Sequence, residues 1–119
     1  MIDFTFPLPP SVNHYYGHTS KGGMYIKADV KKYREIVKWM SKGKRIDSLV
    51  SATVIFAFPD RHRRDIDNGL KCLFDSMKEA GVYPDDSYIY ECYMRKGVDR
   101  QKKGYVRVIL TEYEGDIYL

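Results

Sequence analysis

Leu49-Val50-Ser51-Ala52-Thr53-Val54-Ile55-Phe56-Ala57-Phe58 is the stretch that decides the fold. It is rich in β-branched and aromatic residues, which fit a pleated, packed surface better than a helix. Pro59 closes the run, because proline has no N–H to extend a ladder. A buried strand is therefore expected over 49–58. Beyond it the periodicity changes. Leu70, Leu73, Phe74 and Met77 recur at helical spacing, which predicts a helix from about Asp67 to Ala80, stopped by Gly81. Asp65 is the expected N-cap, with Asp67 and Asn68 in the first turn. Asp67, Lys71 and Asp75, four residues apart, share the opposite face.

Working outward, Ile2, Phe4 and Phe6 alternate with Asp3 and Thr5, the period of a half-buried strand. Pro7, Pro9 and Pro10 end it. Residues 11–23 read as a loop with a mobile tip, and Met24–Ile26 as a short strand. Val30, Tyr33, Ile36, Val37 and Met40 lie on one face of a helix over 28–42, with lysines and Arg34 opposite and Gly43 as its stop. Trp39 and Met40, on or beside that stripe, read as core or as a dimer interface. After Pro84-Asp85-Asp86 come a strand over Tyr88–Met94, a mobile basic loop from Lys96 to Gly104, and a last strand over Tyr105–Thr111. The order β, (β), α, β, α, β, β predicts an α+β sandwich: a mixed sheet of four to five strands carrying two main helices.

The 119 residues suit one domain, 1–119, and the 44% hydrophobic content suits a folded core. No apolar run approaches the roughly 20 residues that cross a bilayer. The N-terminus reads as the first strand and not as a secretory signal, so a cytoplasmic protein is expected. There Cys72 and Cys92 would be reduced thiols, read as small packing residues. No Cys/His spacing supports zinc. The net charge is only +4, but it is unevenly placed: basic residues gather at Arg61–Arg64, from Arg95 to Lys103, and along Lys31–Lys38. Such clusters point to a phosphate-bearing partner rather than to a membrane or a small-molecule substrate.

The chemistry concentrates in Arg61-His62-Arg63-Arg64-Asp65-Ile66-Asp67-Asn68-Gly69-Leu70-Lys71. Carboxylates repel phosphate, so acids inside a basic run oppose nucleic-acid binding unless a divalent cation reverses the sign. A strand-to-helix junction can aim Asp65 and Asp67 at one point, with Lys71 a turn further on. If the loop before Ser87 folds back, Asp85 or Asp86 completes an oxygen-rich pocket suited to Mg²⁺ or Mn²⁺. Lys71 would then supply a point charge to the scissile phosphate or assist the attacking water. A bland alternative stands beside this: Asp often serves only as a helix cap, and Asp–Lys pairs four apart are ordinary solvated contacts. A calcium loop of EF-hand type fails, because its glycine comes one position early and Ser76 stands where a closing glutamate belongs.

Taken together, Pro9-Pro10-Ser11-Val12-Asn13-His14-Tyr15-Tyr16, Arg63-Arg64-Asp65-Ile66-Asp67-Asn68 with Lys71 and Phe74-Asp75, and Gly81 with Asp85-Asp86 resemble the RusA-type Holliday junction resolvases. The resemblance spans nearly the whole chain. It implies a homodimer that binds four-way DNA junctions and cuts two strands symmetrically with Mg²⁺, Mn²⁺ serving as a substitute. It implies Asp65, Asp67 and Asp86 as metal ligands, Asp85 as a supporting acid, and Lys71 as the catalytic lysine. By the same resemblance Arg64, with Arg61 and Arg63 beside it, and Lys96 contact DNA. Asn13 sits in the early loop segment that the resemblance covers and is expected to hold that loop at the DNA. Three positions depart from the family pattern: His62 interrupts an arginine run, Gly69 replaces a larger apolar residue, and Tyr88 stands where glutamine is frequent. Family members are frequent in phage and prophage. Two other readings remain open at this point: a non-catalytic module for branched DNA, and a nuclease for other branched substrates. His14, Tyr15 and Tyr16 read as packing beneath their own loop, with base stacking the alternative.

Overall fold

The computed structural model describes residues 1–11, 16–18, 20 and 24–119, with backbone alone for 16–18 and 24–26. Asn13, His14, Tyr15 and the Tyr16 side chain lie outside the described residues. The elements follow as β1 (Ile2–Phe6), β2 (Tyr16–His18), β3 (Met24–Ile26), α1 (Ala28–Met40), β4 (Val50–Phe58), α2 (Leu70–Glu79), a 3₁₀ turn (Asp86–Tyr88), β5 (Ile89–Val98) and β6 (Tyr105–Glu112). One four-stranded sheet has the order β1-β6-β4-β5, and β2 pairs with β3 in a separate ribbon. The expected α+β architecture is what the chain adopts. Among the described residues, no helix is long and apolar enough to cross a membrane.

The sheet is mixed because β4 and β5 run parallel, whereas β6 is antiparallel to both β4 and β1. Parallel neighbours need a crossover, and α2 provides it. Alternation along the strands puts Phe4, Phe6, Val50, Ala52, Val54, Phe56, Val106, Val108 and Leu110 on the covered face. There they meet Val30, Tyr33 and Val37 of α1 and Cys72, Leu73 and Met77 of α2.

Two buried tyrosines stitch this core to its edges through their hydroxyls. Tyr33 donates to the Pro7 carbonyl at 2.7 Å, and Tyr83 to the Phe74 carbonyl at 2.8 Å. Trp39, by contrast, is 81% exposed, so it is not core. Cys72 is buried as expected, while Cys92 is exposed on the edge strand β5.

Helix α2 begins at Leu70, three residues later than the sequence suggests, and its N-cap is Gly69 rather than Asp65. The Asp65–Gly69 segment forms successive turns instead: Asn68 N–H donates to the Asp65 carbonyl and Leu70 N–H to that of Asp67. The space left by Gly69 is filled by Pro9, since a Cβ there would fall 2.6 Å from Pro9 Cγ. The other end of α2 closes as a Schellman motif. Gly81, at φ +77°, donates to the Lys78 carbonyl and Val82 to that of Met77.

Strand β5 runs to Val98, longer than expected, and takes in Lys96. The basic loop is correspondingly shorter, and it is an organised turn: the Asp99 carboxylate accepts the N–H groups of Gln101, Lys103 and Gly104. Gly69→Ala should destabilise the fold by about 1–3 kcal/mol through overpacking against Pro9. Urea unfolding of the two proteins measures this, and equal midpoints would contradict the packing described.

Candidate active site

The turns after β4 leave Asp65 and Asp67 exposed on the same side of the chain, and α2 then presents Lys71 and Asp75. The Schellman turn sends the chain back along α2, where Tyr83 bonds Phe74 and Lys78 meets Asp85 at 2.8 Å. This return delivers Asp86. A cleft of about 580 Å³ results, lined by Asp65, Asp67, Asn68, Leu70, Lys71, Phe74, Asp75 and Asp86. Three of the four expected metal-binding acids and the expected catalytic lysine therefore share one cleft.

The fourth acid does not. Asp85 has an extended backbone and Asp86 opens the 3₁₀ turn, so their side chains diverge. Asp85 pairs with Lys78 and accepts the Ser87 N–H at 3.1 Å. Those contacts, the Lys78 ammonium foremost, hold its carboxyl well below the usual carboxylate range and push Lys78 up. Asp75, which the sequence reading left without a site role, is present instead. Its carboxylate lies 3.2 Å from Lys71 Nζ and 4.0 Å from Arg34 Nη2. The four-residue spacing of Lys71 and Asp75 was the available signal.

Among the described residues, no three acid, imidazole or thiol groups converge closely enough to ligate one ion. The cleft carboxylates are spread along its walls. Their chemistry nonetheless fits a hard divalent cation, which takes oxygen ligands and readily keeps several waters between itself and the protein.

A basic run leads into the cleft along the chain. Arg61 and Arg63 are exposed. Arg64 is held: its Nη1 donates to Asp60 at 2.6 Å, and its guanidinium lies 4.8 Å above the centre of the Phe58 ring. Lys96 donates to the Arg64 carbonyl, so it braces the run from the neighbouring strand. His62, one of the departures from the family pattern, lies with Nδ1 3.5 Å from Asp60. Tyr88 packs against the core.

A parallel β4-α2-β5 unit with acids, a lysine and a basic run beyond the end of β4 is a site suited to nucleic acid and to phosphodiester chemistry. The match to known proteins agrees with it: the endodeoxyribonuclease RusA family matches residues 7–109, which include the whole cleft. The chain belongs to that family and is an endodeoxyribonuclease. It is 35% identical over 112 residues to the crossover junction endodeoxyribonuclease RusA of Enterobacteria phage 82, covering 91% of this chain and 92% of the relative. Relatives of the same printed name in Shigella sonnei (strain Ss046) and Escherichia coli (strain K12) are 34% and 33% identical, with the same coverage.

The divergence of the two adjacent acids separates their expected effects. Asp86→Asn should abolish most DNA cleavage, whereas Asp85→Asn should retain it and weaken the fold near neutral pH, a difference from the parent that fades in acid. The sign follows from the lowered carboxyl: Asp85 contributes stability above its unfolded pKa, about 3.9, and loses it as pH falls further. Thermal unfolding below about pH 4 should show the acid-induced loss in the parent and a flatter profile in Asp85→Asn. Loss of cleavage in both variants would overturn the separation.

Proposed function

We propose that this protein resolves four-way DNA junctions by divalent-cation-dependent strand cleavage and acts as a homodimer. The observation that carries this reading is the cleft shared by Asp65, Asp67, Asp86 and Lys71, with Arg61, Arg63 and Arg64 immediately before it in the chain. Relatives known as crossover junction endodeoxyribonucleases support a crossover junction as the substrate.

Asp65, Asp67 and Asp86 would hold Mg²⁺ or Mn²⁺. When bound, the ion supplies an activated water and neutralises charge developing on the scissile phosphate. The chain's own groups do the rest. Lys71 offers its ammonium to the phosphate as a compact charge, and Asp75, 3.2 Å away, fixes where that ammonium sits. The arginines hold the flanking backbone and raise the local DNA concentration. A two-fold dimer places two such clefts to match the two-fold symmetry of paired cuts.

The test is cleavage of a synthetic four-way junction in Mg²⁺, set beside a flap and a linear duplex at one salt concentration. The parent should cut the junction preferentially and lose activity on chelation. Asp67→Asn should lower the rate at least about 100-fold, since even groups outside the ligand set cost 10–100-fold at metal sites. Equal cleavage by parent and variant would overturn the assigned cleft. Tight junction binding without any cutting would make the protein a binding module.

A further inference from the structure

One acid stands within the basic run yet takes no part in the cleft. Asp60 lies two residues past the end of β4. Its Oδ1 accepts the Arg64 Nη1–H at 2.6 Å and the His62 backbone N–H at 3.0 Å. The Arg64 guanidinium lies over the Phe58 ring, and Lys96 holds the Arg64 carbonyl from β5. Side chain and backbone of one arginine are thus fixed from three directions. Its side chain is 25% exposed and lines two small hollows, one shared with Asn68 and Gly69 beside the cleft, the other with Lys96 and Val98.

A carboxylate in a phosphate-binding run subtracts attraction for DNA. What it can add is order. An arginine side chain has much rotamer freedom to lose on binding, and a side chain already fixed pays that loss during folding instead. The contacts of Arg64 leave from Nη1, toward Asp60 and the His62 carbonyl. Among the described residues the rest of the guanidinium fork has no hydrogen-bond partner, so a phosphate can be met there without displacing Asp60. The Phe58 ring lies against that guanidinium, a second restraint that a loose counter-ion would lack.

We propose, resting on the junction-cleaving function above, that Asp60 is a positioning residue for DNA recognition. It holds Arg64 against Phe58 so that the open side of the guanidinium is presented to the phosphate next to the acidic cleft. The opposite role, a counter-ion that DNA must displace, makes the opposite prediction.

The experiment is a double-substitution cycle read by fluorescence anisotropy, titrating a labelled four-way junction without divalent cation at fixed salt. Asp60→Ala should weaken binding about three- to tenfold, the cost of ordering one long side chain. In an Arg64→Ala background the same substitution should change binding less than about twofold, because the two residues act as one unit. Asp60→Asn keeps an acceptor for the His62 N–H and is expected to lose part of the same affinity, which covers the case in which alanine fails to fold. Tighter or unchanged binding of Asp60→Ala with Arg64 intact overturns the proposal. Equal weakening in both backgrounds also overturns it, since Asp60 would then act on the fold. Failure of the parent to prefer junction over duplex is a distinct result that refutes the functional reading first.

Discussion

Strands β4 and β5 run parallel, and the cleft is a consequence of that pairing. A parallel neighbour cannot be reached by a tight turn, so the chain must leave the end of β4, cross the sheet, and return to the start of β5. The outward leg carries Asp65 and Asp67, the crossing is α2 with Lys71 and Asp75, and the return leg carries Asp86. Residues separated in sequence but joined in function are thereby brought around one helix. The Schellman turn at Gly81 makes the return possible. Its left-handed backbone reverses the chain within two residues and sets Val82 and Tyr83 into the core before Asp86 emerges.

Much of this was legible in the sequence. Strand β4, both helices, β1 and β6 announce themselves by composition and period, which are local properties. Asp65, Asp67 and Lys71 of the cleft were legible as well, as acids and a lysine set beside a basic run, whereas Asp75 was not. What escaped was set by tertiary contact. The start of α2 moved because Pro9, distant in sequence, packs over Gly69, and the Asp65–Gly69 backbone prefers turns to a helical first turn. Asp85 and Asp86 are chemically identical neighbours, and only Lys78 and Ser87 decide which one turns away from the cleft. The length of β5 depends on a partner strand that its own residues do not name.

Electrostatically, the run from Asp60 to Lys71 alternates between charge that is held and charge that is offered. Asp60, Phe58 and Lys96 hold Arg64, and Asp75 holds Lys71. The exposed Arg61 and Arg63, like the exposed Asp65 and Asp67, are left to face whatever binds. Surface pairs of this kind contribute little to stability on their own. Their value lies in geometry, since a catalytic or recognition group placed loosely loses much of its effect.

The order of strands in the sheet also has a consequence for how the protein is made. β4, which leads into the acidic cleft, is flanked on one side by β6, the final strand, and β6 in turn pairs with β1. On a ribosome, the helices and β5 emerge while β4 still lacks its antiparallel neighbour and β1 has nothing to pair with. The four-stranded sheet can close only once β6 is available, because β6 joins β1 to β4. The sheet that carries the cleft is therefore closed by a strand that follows every cleft residue in the chain.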